Sequence, residues 1–132
     1  MKIVDSTFII SLLRSETSTV EKAEELDEEG GAASTVINLY ETMYGVYRSM
    51  TEQEKRLESL KRITANLEIL DLSYEATCRA AEISGTLARR GEGIDAFDSL
   101  IAGIALTCGA EAIVTRNTVH FERISGLSVE TH

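Results

Sequence analysis

Two hydrophobic rhythms alternate along the chain, short apolar runs of strand length and longer stretches with apolar residues every third or fourth position. Lys2-Ile3-Val4 is an apolar run that closes on Asp5, and residues 7–14 follow as a helix that Asp5 or Ser6 can cap. Residues 17–29 place Val20, Ala23 and Leu26 at helical spacing among acids, and Gly30-Gly31 stops them. A short strand over 31–34 leads to a helix over 36–49, capped by Thr35, with Val36, Leu39, Tyr40, Met43 and Val46 on one face. Thr51, with Glu54 three positions on, reads as the capping box of a helix over 51–63. A strand over 67–70 precedes a helix over 74–90 that Ser73 starts and Gly91 ends. The pattern then gives a strongly apolar helix over 95–107 that ends at Gly109, a strand over 111–115, a short helix over 118–123 and a last strand over 127–130.

Short strands alternating with amphipathic helices predict an α/β fold, a mostly parallel sheet with helices on both faces. In such folds ligands gather at the carboxyl ends of strands near the topological switch point. Asp5 ends the first strand and the 115–117 segment ends the fourth, so chemistry is expected there. With 132 residues, the chain reads as one domain over 1–132, without repeat, linker or proline. No stretch approaches the ~18 apolar residues of a membrane span. The opening apolar run is short, is interrupted by Asp5 and lacks a small-residue cleavage site, so a cytoplasmic protein is expected. Cys78 and Cys108 have neither CxxC spacing nor a histidine cluster, which argues against zinc-ribbon and disulfide-scaffold readings; both are expected as small buried hydrophobes.

Composition changes this picture through charge. The formal net charge of −9 disfavours affinity built on broad phosphate neutralisation, although an acidic protein can still act on nucleic acid through divalent cations. Most acids between Glu16 and Glu29 read as a solvated helix face. Asp98 does not, because steps of three and four align it with Ile101, Ala102 and Ala105 on the apolar side. Asp95 is placed to cap the same helix. Glu41 has Ile37 one turn before it and Tyr44 and Gly45 one turn after; its own explanation is a salt bridge or a tyrosine hydrogen bond. Gly45, costing about 1 kcal/mol in a helix relative to Ala, hints that another backbone or a ligand comes close. Asp5 alone reads as a cap.

Together, Asp5, Glu41 and Asp98 can project to one end of a parallel sheet, where carboxylates repel unless a cation neutralises them. Hard oxygen ligands suit Mg²⁺, with Mn²⁺ as a substitute, and such a site supports phosphodiester hydrolysis. No GxSxG, Walker loop or GxGxxG offers another engine. His120 and His132 lack metal-ligand spacing and read as surface or loop histidines.

The segments IVDSTFII, STVINLYETMYGV, RRGEGIDAFDSLIAGIAL and IVTRNTVHFERISGLSVE, in this order and spacing, resemble PIN-domain ribonucleases, and among them the VapC toxins of type II toxin–antitoxin pairs. The likeness runs over essentially the whole length. It implies a PIN-like fold with a parallel sheet of strand order 3-2-1-4-5, and Asp5, Glu41 and Asp98 as metal-binding acids. Thr7 and Thr115 then look like accessory hydroxyls that orient the first acid and bound water, with Asp95 as a further accessory residue. Many PIN domains carry a fourth acid two residues after the threonine of TxD, whereas this chain has Asn117, which implies a weaker second cation or a single one. Asn117 can also cap the last short helix. Some relatives place an acid three residues further on; here that position is His120.

The resemblance also implies a homodimer that cuts structured RNA such as tRNA or rRNA and stops translation. A VapB-like antitoxin would block it by placing a basic side chain among the carboxylates. Candidate phosphate contacts are Arg14, Arg89, Arg90 and above all Arg116, with Lys55, Arg56, Lys61 and Arg62 as ordinary solvated residues by default. Two alternatives stand beside this reading. One is a PIN fold that binds RNA or protein without cutting, suggested by Asn117. The other is a receiver-like signalling domain, which needs paired acids after the first strand and a lysine after the fifth; this chain has Asp5 alone, Asp71 near the third strand and no such lysine.

Overall fold

A computed structural model describes residues Met1–His132. Twelve elements follow in the predicted order. Strand β1 (Lys2–Val4) leads into α1 (Ser6–Leu13), capped by Asp5, whose side chain accepts from the Phe8 amide. Then come α2 (Thr17–Glu28), β2 (Ala32–Thr35) and α3 (Val36–Arg48), the last capped by Thr35 on the Asn38 amide. Next are α4 (Gln53–Ala65), β3 (Glu68–Leu70) and α5 (Tyr74–Arg89), with Ser73 as the α5 cap. Helix α6 (Ala96–Thr107) is capped by Asp95, whose side chain accepts from the Phe97 amide at 2.8 Å, and β4 (Ala112–Val114), α7 (Thr118–Glu122) and β5 (Val129–Glu130) complete the chain.

The strands form one parallel sheet in the order β3-β2-β1-β4-β5. Ile3 pairs with Ala33 and Ile113, and Val4 with Val114, so β1 lies between β2 and β4 at the sheet centre. Strand alternation then divides the core. Ile3 and Ile113 face one cluster with Leu87, Ile101, Ala102, Ala105, Phe121, Ile124 and Leu127, from α5, α6 and the last segment. Val4 and Val114 face the other, with Phe8, Ile9, Leu26, Val46 and Leu60 from α1 to α4. Helices α5 and α6 touch most closely at Gly103, where a Cβ would meet the Ala76 carbonyl oxygen and lie 2.9 Å from the Ala80 Cβ. This seam fixes α6, and with it Asp98, against the sheet.

Three local expectations are corrected. Thr51 does not cap α4, because Glu52 adopts a left-handed φ of 55° and the helix starts at Gln53 without a side-chain cap. Instead Gln53 donates to the carbonyls of Tyr47 and Ser49, tying the turn back to the end of α3. Cys78 and Cys108 are exposed, the first on the outer face of α5 and the second at the end of α6. No atom comes within 4 Å of a Cβ built on Gly45, so no backbone of this chain explains that glycine; it opens onto a groove between α1, α3 and α4.

Candidate active site

The two central strands end side by side, so Asp5 follows β1 and Thr115 follows β4 at the same edge. Asp5 is buried, and hydroxyls grip it on both sides. Thr7 Oγ1 donates to its Oδ1 at 2.6 Å, and Thr115 Oγ1 donates to its Oδ2 at 2.5 Å. Thr7 in turn accepts from the Arg116 amide at 2.9 Å, and Thr115 accepts from the Asn117 amide at 2.9 Å, which fastens the loop after β4 to the start of α1.

Glu41 reaches the same place from α3. Its Oε1 accepts from Ser6 Oγ at 2.7 Å, and Ser6 accepts from the amide of buried Asn38 at 3.0 Å. Asn38 is itself held by the Thr35 hydroxyl at 2.7 Å. A polar relay of Thr35, Asn38 and Ser6 thus positions Glu41, and none of Glu41's tyrosine neighbours does so. Ser6 and Asn38 were not legible as site residues, though Asn38 stands three positions after Thr35 on the buried face of α3.

Asp98 enters from the first turn of α6, beyond the Asp95 cap. Its Oδ2 is 2.9 Å from Asn117 Nδ2, which donates to it, and 2.8 Å from His120 Nδ1. His120 is therefore not a stray loop histidine. One turn of α7 carries it back over Asn117 into the site, while Phe121 anchors that turn in the core. Asn117 occupies the N-cap position of α7 without a side-chain cap bond, because its amide is turned to Asp98. The sequence signal was the three-residue spacing between Asn117 and His120.

These residues line one pocket of about 320 Å³: Asp5, Ser6, Thr7, Glu41, Asp95 and Asp98, with Phe97, Ile101, Asn117 and His120. Burial pushes the Asp5, Glu41 and Asp98 carboxyls above their ordinary values. Hydroxyl donors oppose this at Asp5, and the Ser6 hydroxyl opposes it at Glu41, where the charges of Asp98, Asp5 and Asp95 raise it further. At Asp98 the His120 contact works against burial. No three His, Cys, Asp or Glu side chains stand close enough to enclose one ion. Mg²⁺ does not need such a cage, since it keeps several waters and takes one or two carboxylates. Hard oxygens, mutual repulsion and an open pocket fit a hydrated divalent cation.

The basic candidates lie elsewhere. Arg116 pairs with Glu16 and donates to the His132 carbonyl and Thr19 Oγ1, so its guanidinium is not part of the acid pocket. His132 is wedged there too, with its ring 2.8 Å from Thr19 Oγ1, 3.2 Å from Thr7 Oγ1 and edge-on to Phe8, which corrects the surface reading. Arg14 lines the groove of α1, α3 and α4 with Arg48, Lys55 and Arg56. Arg89 and Arg90 are exposed at the end of α5. Aromatic rings border the acids instead: Tyr40 packs edge-on against Phe97 at 5.7 Å and stacks on Tyr44 at 6.2 Å.

Comparison with known proteins agrees with this geometry. The PIN domain family matches residues 2–127. The chain is 30% identical over 127 residues to the tRNA(fMet)-specific endonuclease VapC of Shigella flexneri, covering 96% of this chain and 94% of that one. It is 35% identical over 94 residues to the protein of the same name from Salmonella typhimurium, covering 71% and 70%. The structure of VapBC2 from Rickettsia felis, bound to a DNA fragment from their promoter, superposes with a TM-score of 0.90 at 28% identity, covering 99% of this chain and 98% of that one. The receiver reading is set aside by the family match. The chain belongs to the PIN domain family and, within it, to the VapC group.

Proposed function

We propose that this protein is the toxin of a VapBC-type pair, a Mg²⁺-dependent endoribonuclease that cuts structured RNA, tRNA foremost, and thereby stops translation. The observation that carries the proposal is the pocket at the ends of β1 and β4, where acids from three segments face one another with no lysine or arginine among the lining residues. Asp5, Glu41 and Asp98 are the residues that would hold Mg²⁺ or Mn²⁺. A bound cation there supplies charge neutralisation at the scissile phosphate and activation of water. In the reaction a water oxygen bonds to phosphorus, one P–O ester bond breaks, and the RNA ends leave as a phosphate and a hydroxyl.

The chain's own residues arrange this step. Thr7 and Thr115 hold the Asp5 carboxylate in one orientation, and Ser6 does the same for Glu41. Phe97 in the pocket wall, with exposed Tyr40 packed beside it, offers aromatic surface for bases beside the scissile bond. The names of the relatives support tRNA as the substrate class. The toxin–antitoxin complexes among the structural neighbours support a VapB-like antitoxin, whose basic side chain would meet the raised carboxyls with complementary charge. A homodimer in the cytoplasm completes the proposal; no helix is long and apolar enough to cross a membrane.

The test is incubation of purified protein with tRNA and Mg²⁺, with mapping of new 5′ ends after brief induction in cells and Asp98→Asn as the control. Cleavage that is equally fast in Asp98→Asn would refute the assignment. Asn117 in place of an acid favours one second reading, a PIN fold that binds without cutting. Calorimetry that shows no Mn²⁺ binding beside intact antitoxin binding would select it.

A further inference from the structure

Three donor positions at the Asp98 side of the pocket form a nearly regular triangle. Asp98 Oδ2 to His120 Nδ1 is 2.8 Å, Asp98 Oδ2 to Asn117 Nδ2 is 2.9 Å, and Asn117 Nδ2 to His120 Nδ1 is 3.0 Å. In an octahedral ion with bonds of about 2.1 Å, neighbouring ligands lie about 3.0 Å apart. The triangle has the dimensions of one octahedral face. Half a turn of the Asn117 amide puts its oxygen where Nδ2 now stands, which gives one carboxylate oxygen, one amide oxygen and one imidazole nitrogen. The positions are also fixed from behind: the Asn117 amide N–H is bonded to Thr115, and buried Phe121 pins the turn that bears His120.

We propose that Asp98, Asn117 and His120 form a facial cation site in which His120 is a direct nitrogen ligand, so that the pocket prefers Mn²⁺ to Mg²⁺. The proposal rests on the cation reading above and specifies which side chains complete it. The physical ground for selectivity is ligand type. Mg²⁺ favours oxygen and releases water reluctantly, whereas an imidazole nitrogen is a better partner for a transition-metal ion. A carboxylate in place of His120 would erase that distinction.

The direct test is pulsed electron paramagnetic resonance of Mn²⁺ bound to the whole chain, which detects a directly bonded ¹⁴N by its echo modulation. The chain has only two histidines, so the assignment is clean. Wild type and His132→Gln should show imidazole modulation, and His120→Ala and His120→Asp should lose it. Titration calorimetry should give Mn²⁺ bound more tightly than Mg²⁺ by about tenfold or more in wild type, with Mn²⁺ weakened about tenfold or more in His120→Ala. His120→Asp should restore binding while bringing the two ions closer in affinity. His120 is partly exposed, and unchanged circular dichroism verifies that its variants fold. Mn²⁺ that binds without nitrogen modulation in wild type overturns the His120 assignment and leaves the acid site standing. Failure of Mn²⁺ to bind at all overturns both.

Discussion

Glu130 and Glu41 are the same side chain in opposite electrostatic surroundings. Glu130 on β5 is held by Lys22 at 2.9 Å and Lys2 at 3.1 Å, and Lys22 in particular keeps its carboxyl below the ordinary range. Glu41 has one hydroxyl donor, Ser6, while burial and three neighbouring acids push its carboxyl up. The difference lies in where the chain spends its few cations. Lys2, Lys22 and Arg116 are committed to Glu29, Glu25, Glu130 and Glu16, and none lines the acid pocket. An acidic chain that gives Lys2, Lys22 and Arg116 to one group of acids and only His120 to the other has prepared the second group for a charge from outside.

The largest effect should come from removing a pocket charge. Asp98→Asn should lower tRNA cleavage by about 100-fold or more, the scale seen when transition-state electrostatics are deleted, whereas Glu130→Gln should leave the rate within about twofold by the same end-labelled assay. Equal losses would erase the contrast. Cation binding should come next. At a hundred times its dissociation constant a ligand adds about 2.7 kcal/mol of stability, visible as a Tm rise of several degrees. Mg²⁺ should produce that rise in wild type and not in Asp5→Asn/Asp98→Asn, as differential scanning fluorimetry can establish.

Smaller differences lie in the pH dependence of the metal-free protein. The Glu41 carboxyl is raised, so the folded state binds more protons than the unfolded state just above the ordinary carboxylate range, and stability from this group falls as pH rises through that window. Glu41→Gln should therefore raise Tm by about 1–3 °C near pH 7 and by less near pH 4. Glu130 has the opposite sign: its contribution is present above the ordinary range and is lost as pH falls through its lowered value. Glu130→Gln should lower Tm near pH 7 and lose its effect at acid pH. A further pH effect is expected at His132, whose pKa is pushed down to about 4 by burial and then by the Arg116 charge. Its stabilisation is complete above about pH 6.5 and disappears as pH falls toward 4, so the Tm profile of His132→Gln should be flatter between those limits.

Much of this fold was written in local patterns. The caps Asp5, Thr35, Ser73 and Asp95 all bind the amides their positions implied. The switch-point argument also led to the edge of the sheet where Asp5, Glu41 and Asp98 meet, because β1 and β4 are adjacent. What could not be read depended on contacts between distant segments. His120 needed the knowledge that α7 folds back over α6, and Asn38 needed the Ser6 hydroxyl, 32 positions away, to gain a role. Gly103 gains its role only from α5, whose Ala76 and Ala80 lie against it. Cys78 failed for the reverse reason: a helical pattern shows the period of burial, and the outer side of α5 turned out to be solvent-facing.

The grip on Asp5 also limits how it can bind. A carboxylate has about four lone pairs. On Oδ1 the Thr7 hydroxyl and the Phe8 amide take both, and on Oδ2 the Thr115 hydroxyl takes one. At most one free lone pair remains, with a fixed direction, so Asp5 can offer no more than a single bond along a single line. Asp5→Glu keeps the charge but aims that line elsewhere, and in this pocket direction is as much a part of the ligand as its oxygen.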